Sequence, residues 1–253
     1  MIYGIYQSAA GLQVNQYRQE VLSNNLANVA TTGFKHDLAV VRERSVASRE
    51  DLADPALTDP TFDQLTGGSL VAPTYTSFEQ GTVEHTGNKL DVAIFGEGFF
   101  SVLDGDAVRY TRDGRFMVNA DGELVTAAGG YNVLDESGQP LTVGADNSDR
   151  VQITASGEVR AGNEVLGKLD VVDFENERLL RKVGGNLLVA MNAEPTKAKA
   201  TLMPQSIEAS TVDPTTTMVA MIEASRAYQL NATLIGLADS TLGRAVNDIA
   251  RIR

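Results

Sequence analysis

The stretch DPTTTMVAMIEASRAYQLNATLIGLADSTLGRAVNDIA, residues 213–250, begins with an aspartate and a proline and holds no proline thereafter. Asp213 can accept from the free amides of a first helical turn, and Pro214 has no amide hydrogen to leave unpaired there, so the pair marks a helix start. A stripe follows at Met221, Ser225, Tyr228, Ala232, Ile235, Asp239, Leu242, Val246 and Ile249, in alternating steps of four and three. Seven of these nine positions are apolar, and the spacing is that of a coiled-coil seam. At about 1.5 Å per residue, a helix from Pro214 to Ala250 would be roughly 55 Å long, several times a typical globular helix. A rod of that length needs a partner along its side.

The other end of the chain supplies a first one. Apolar side chains recur at Ile2, Ile5, Ala9 and Leu12, then at Leu22, Leu26 and Val29, and these steps of three and four predict a helix within residues 1–33. The segment SNNLANVATTGFK, residues 23–35, closes it. Gly33 suits the left-handed position that ends a helix, and Phe34 can pack back on the last turn. Asn24 and Asn28 lie four apart on a face away from the apolar stripe, with Asn25 beside them. A solvated helix end is one reading of these amides, because asparagine is common there. The other is a joint that sets register, since buried amides leave a slipped pairing unsatisfied at about 1–3 kcal/mol each.

Between the ends the pattern changes twice. Residues 34–80 hold Asp54-Pro55, Asp59-Pro60 and Gly67-Gly68 without sustained periodicity, and read as an extended connector, either solvated or packed against neighbouring molecules. Residues 81–209 carry short apolar or alternating runs such as DVAIFG, GFFSVL, ELVTA and NLLVA. Asp104-Gly105, Asp113-Gly114, Asp121-Gly122 and Gly184-Gly185 are among the turn pairs that punctuate them. Strands between turn signals argue for an all-β domain of hairpins. The fold class is therefore α+β: a mostly-β central domain with long helices at 1–33 and 210–253 that pair into a coiled-coil assembly domain.

Composition narrows the function. The chain has 253 residues, no cysteine and two histidines, His36 and His85, which removes thiolate chemistry and most metal sites. Neither histidine adjoins a group that would activate it, and both read as surface residues. Net charge is −12, but residues 1–33 and 211–253 each sum to zero and the excess lies between them. Such a surface cannot displace counterions from nucleic acid, and no run is long enough to span a membrane. Neutral ends read as surfaces to be covered and the acidic middle as surface to be wet. Gly96-Glu97-Gly98 lacks the third glycine of a dinucleotide loop and reads as a turn beside a strand. Asn119, Asp121 and Glu123 around Gly122 resemble part of a calcium loop, but their spacing fits a hairpin. No catalytic, metal or cofactor residue is singled out.

Four blocks carry a resemblance: SNNLANVATTGFK, GNKLDVAIFGEGFFSV (residues 87–102), YTRDGRFMVNADGELVTAAGGYNVL (110–134) and SIEASTVDPTTTMVAMIEASRAYQLN (206–231). In this order they closely resemble the bacterial flagellar rod and hook protein family, and the short middle resembles a rod protein, proximal or distal. Thr211 departs from the asparagine common in the family. The resemblance implies export, unfolded and without a cleaved signal, through the flagellar type III apparatus, and helical polymerisation at the growing tip. It also implies that terminal helices pair and line an inner tube while the β domain faces outward. Partners are then copies of this chain, other rod and hook proteins, the export apparatus and basal-body ring proteins. The expected assembly interface comprises Ile5, Leu12, Leu22, Asn25, Leu26, Asn28 and Val29 with Met221, Tyr228, Ala232, Ile235, Leu242, Val246 and Ile249. The competing reading is a stand-alone β-domain binding module or polysaccharide-active protein whose long helix packs only within the monomer. That reading leaves unexplained a second face at Ala220, Ala224, Ala227, Gly236 and Gly243, expected to stay uncovered by intramolecular pairing.

Overall fold

A computed structural model describes residues 2–45, 68–144 and 150–250. The Asp-Pro part of the connector lies outside the described residues. The chain is α+β, with a mostly-β centre between two helices, and it divides into two compact units.

One unit contains the helices α1 (Ile2–Ala27) and α2 (Pro214–Ala250) and residues Asp37–Tyr75 between them. The start of α2 is built as its first residues dictate: Asp213 Oδ1 accepts the Thr215 amide at 2.8 Å and its carbonyl takes the Thr217 amide at 3.1 Å. The two helices pack on each other. They meet at Gly11 of α1, where an added Cβ would lie 2.9 Å from Asn231 Nδ2. Val14 and Val21 of α1 are buried, and Tyr17 donates its hydroxyl to the Ala72 carbonyl at 3.1 Å. Inside the connector, strands Val41–Glu43 and Ser69–Val71 pair antiparallel.

The N-terminal helix stops at Ala27, short of the expected residue 33. Asn25 turns its amide out of the helix instead: Nδ2 donates to the Asp37 carbonyl at 2.7 Å and Oδ1 accepts the Asp37 amide at 2.9 Å. The backbone then turns, with the Thr31 amide on the Asn28 carbonyl and the Thr31 hydroxyl on Asn28 Oδ1, both at 3.1 Å. Gly33 does adopt a left-handed conformation, φ +66°, but six residues beyond the last helical one, where it ends no helix.

The other unit is residues Asn28–His36 with Thr76–Val212. Its main sheet is antiparallel: Phe99–Asp104 pairs with Ala107–Thr111, Asn132–Val133 and Val171–Asp173. Hairpins extend the sheet through Leu180–Gly184 and Leu187–Ala190 on one side and Leu124–Thr126 and Phe116–Val118 on the other. Alternation along Phe99–Asp104 sorts two cores. Phe100 and Val102 face a large one with Val92, Leu124, Val133 and Val159, and Phe99 faces a smaller one with Tyr110, Phe174 and Leu188. Asp104-Gly105 makes a hairpin turn. Asn119 organises the turn before Leu124, its Oδ1 accepting the Asp121 and Glu123 amides at 3.0 and 2.8 Å, so this loop is closed by its own asparagine. Gly96 and Gly98 take positive φ between two strands. Strand Ser206–Glu208 pairs with Val83–His85.

Candidate assembly interface

At about 100° per residue, α2 carries two distinct surfaces. The covered side runs Ala220, Ala224, Ala227, Asn231, Ala238 and Ala245, and because Asn231 meets Gly11 this is the side toward α1. Ala224 is 6% exposed, which corrects the expectation that the alanine face stays open; small side chains let two backbones approach closely. Gly236 and Gly243 are exposed. Roughly a third of a turn away lies a stripe of large apolar residues in water. Val219 and Ile222 are each 53% exposed, Leu230 67%, Leu234 54% and Leu237 59%.

The expected interface residues are spread over these surfaces. Met221, Ile235 and Leu242 are half-buried beside the alanine seam, Ala232 is exposed, and Tyr228 and Val246 are exposed on the opposite flank from the leucine stripe. Ile249 lies beyond the described side chains. A strict 3.5-residue repeat drifts about 20° per heptad around a straight helix, so the nine-residue stripe starts beside the seam at Met221 and moves onto it toward Ile235 and Leu242, which are half-buried like Ala238 and Ala245. On α1, Ile5, Leu12, Leu22 and Leu26 are half-buried, and Asn25 is 4% exposed. Asn28 and Val29 belong to the turn after the helix, both half-buried. Val219, Ile222, Leu230, Leu234 and Leu237 were missed, although their spacing was available as a second period-3.6 stripe.

A second group of residues, in the β unit, was missed more completely. Residues 32–36 run through that unit with a partner at every step. The Thr32 carbonyl accepts Asn186 Nδ2 at 2.8 Å, and the Gly33 amide donates to the Glu208 carbonyl at 2.7 Å. Lys182 holds its ammonium 3.9 Å from the centre of the Phe34 ring and donates to the Lys35 carbonyl. Lys35, 3% exposed, donates to the Glu79 carbonyl and to Glu208 Oε1, both at 2.7 Å. The His36 amide donates to Thr211 Oγ1 at 3.0 Å and its Nδ1 lies 2.9 Å from that hydroxyl. His36 is therefore half-buried and engaged, where a surface residue was expected, whereas His85 is exposed. Thr211 is His36's partner and also donates its amide to the Phe34 carbonyl at 3.1 Å.

Glu208 is the centre of this cluster. At 1% exposure it binds Lys35 and the Gly81 amide on Oε1, each at 2.7 Å, and faces Arg112 from Oε2 at 3.5 Å. Lys35 is its strong partner, and Arg112 is a longer charge contact whose guanidinium also lies 5.0 Å from the centre of the Phe99 ring. Burial pulls both Lys35 and Arg112 below their ordinary pKa values, and the Glu208 carboxylate pulls them back. Asp113, next in the chain, is pushed up by burial. Among the described residues no group of three or more acidic, histidine or cysteine side chains could hold a metal ion, and no helix is long and apolar enough to cross a membrane.

Family models match in three places. These are the flagella basal body rod protein model over residues 5–35, the flagellar hook protein FlgE/F/G D1 domain over 93–161, and the flagellar basal body rod FlgEFG protein C-terminal model over 203–248. The flagellar basal-body rod protein FlgG of Borreliella burgdorferi is 32% identical to this chain over 98% of each. The chain belongs to the flagellar basal-body rod protein family. The FlgG of Agrobacterium fabrum is 34% identical over 92% of this chain and 94% of its own, and the rod protein FlgF of Caulobacter vibrioides is 33% identical over 92% of each. This rod protein is thus a structural subunit and not an enzyme. The helices and the 32–36 passage, rather than any pocket, are where its function is to be sought.

Proposed function

We propose that the rod protein polymerises helically through α1 and α2 into the drive shaft that carries torque from motor to hook, its helices pairing as a coiled coil and its β unit forming the outer wall. The observation that carries this reading is the leucine stripe on α2. Within its unit the helix already has a covered side, and a second apolar side at Val219, Ile222, Leu230, Leu234 and Leu237 stays exposed among the described residues. Isolated exposed apolar residues are ordinary, but five along one face form a stripe of the kind that marks an interface. Copies of this chain, other rod and hook proteins and ring proteins are the partners, reached after export through the flagellar type III apparatus without a cleaved signal. The position is the flagellar basal body, along the rod.

Leu234→Asp and Leu237→Asp test the stripe. Each puts a carboxylate where a neighbour would bury it, at a cost of roughly 3–5 kcal/mol per contact for an unpaired buried charge, while leaving the monomer's seam untouched. Circular dichroism and melting of the purified full chain should be unchanged, and basal bodies from the complemented strain should lack complete rods. Normal swimming by both variants would remove the stripe as an interface.

A further inference from the structure

The four blocks that carry the family resemblance are separate stretches of the chain, yet each sends a side chain to one buried cluster. Lys35 comes from the first, Phe99 from the second, Arg112 from the third and Glu208 from the fourth. The cluster sits where the polypeptide enters the β unit, at residues 28–36, and where it leaves, at residues 206–212. These two passages are zipped to each other by backbone bonds from Gly33 to Glu208 at 2.7 Å and from Thr211 to Phe34 at 3.1 Å. Glu208 reaches across to a third segment through the Gly81 amide, and the Ala209 amide continues that pairing onto the Thr82 carbonyl at 2.8 Å.

Stability alone does not call for charges here. Buried ion pairs are often matched or surpassed by apolar side chains of similar volume, and their best-attested use is to specify one register among several. The geometry has that character. Oε1 of Glu208 is satisfied only when Lys35 and Gly81 stand on it together, and Gly33 fits only in one place, because a Cβ there would lie 2.4 Å from the Arg112 carbonyl group. A slip of one residue along either passage would bury Lys35 or Glu208 without a partner.

We propose that Lys35, Glu208 and Arg112 are positioning residues for rod assembly: their cluster locks the two passages in a single register, and native rods require that register rather than merely a stable β unit. This rests on the rod-assembly reading above. The cluster acts through the passages it holds.

Amide hydrogen exchange on the full chain tests the lock itself. Glu208→Gln keeps the shape and removes the charge, and it should raise exchange at Gly33, Gly81 and Thr211 by about tenfold or more, with strand Val92–Phe95 changed less than about twofold. Equal exchange in variant and wild type overturns the lock. The assembly role is tested with the apolar triple Lys35→Met, Arg112→Met and Glu208→Leu, which leaves no member of the cluster charged, read for melting temperature and for rods in isolated basal bodies. The expected result is a melting temperature closer to wild type than that of any single variant, with rods still short or absent. Recovery of swimming together with melting temperature overturns the positioning role, since stability would then have been sufficient. Absence of the wild-type chain from rod density in the same preparations overturns the rod reading and the assembly role with it, and the exchange result distinguishes that failure from failure of the lock.

Discussion

Replacing Gly33 by alanine would strike the passage at its least tolerant point. The residue stands at φ +66°, and an added Cβ would come within 2.4 Å of the carbonyl carbon and oxygen of Arg112 and 2.7 Å of the Asp113 amide nitrogen. Two costs combine. Holding an L-residue in the left-handed region costs about 1–2 kcal/mol, and forcing a methyl group into backbone that is already packed costs about 1–3 kcal/mol more. The neighbouring atoms are main chain, not the end of a flexible side chain, so relief requires moving Arg112 away from Glu208 or breaking the 2.7 Å bond from Gly33 to Glu208. The sum of roughly 2–5 kcal/mol corresponds to a fall in melting temperature of roughly 4–20 °C at about 2–4 °C per kcal/mol. Gly105→Ala is the matched control, with φ +61° in a hairpin turn and nothing within 4 Å of the added Cβ. It should lose only the conformational part, about 1–2 kcal/mol. Calorimetry of the two full-length variants measures the difference directly. If Gly33→Ala melts within experimental error of Gly105→Ala, the close approach at Arg112 is not real and the account of residues 32–36 fails.

Asn25→Ala removes both bonds to the Asp37 backbone and should cost about 1–3 kcal/mol for two net hydrogen bonds. The Asp37 amide should exchange faster while the middle of α1 keeps its protection; unchanged exchange at Asp37 would show that the amide is not held there. Glu136 tests the opposite regime, that of an exposed carboxylate. Hydrogen bonds from Lys197 and Lys168 hold Glu136 below its ordinary value of 4.5. A lowered folded-state value means the unfolded chain binds the extra proton, so the contribution is present above pH 4.5 and is lost as pH falls. With both partners in solvent it is worth under about 1 kcal/mol. Glu136→Gln should therefore shift urea midpoints slightly at pH 7 and not at all at strongly acid pH, and a shift that grew on acidification would contradict the sign.

Where the structure departs from expectation, the cause is specific. The boundary at residue 33 was drawn from Gly33, whose left-handed conformation is real but serves a tight approach to Arg112 rather than a helix end. Periodicity through Val29 could not show that Asn25 would give its amide to Asp37 twelve residues on. Asn25 is buried and bonded to the backbone of Asp37 in its own chain. The face at Ala220, Ala224 and Ala227 reads as uncovered in the sequence because seam patterns are sought among large side chains, whereas a close helix approach uses small ones, here opposite Gly11. Lys35, Arg112 and Glu208 were quoted within the recognisable blocks without being singled out, since a lone charge in a polar motif reads as solvated.

What the sequence by itself determined is everything that depends on neighbours a few residues apart. Asp213 and Pro214 start α2 because a carboxylate and an imino acid suit a first turn whatever surrounds it. Asp104-Gly105 turns a hairpin, Asn119 closes another, and alternation at Phe99, Phe100 and Val102 divides two cores, each for equally local reasons. The tertiary structure alone decided which side of α2 meets α1 and which is left in water, because both sides are apolar and periodicity cannot rank them. It alone brought Lys35 to Glu208, 173 residues away along the chain. A buried charge is tolerable only beside its partner, and that partner was chosen by the sheet register at Ser206–Glu208 and by the space Gly33 leaves against Arg112, neither of which any local pattern contains.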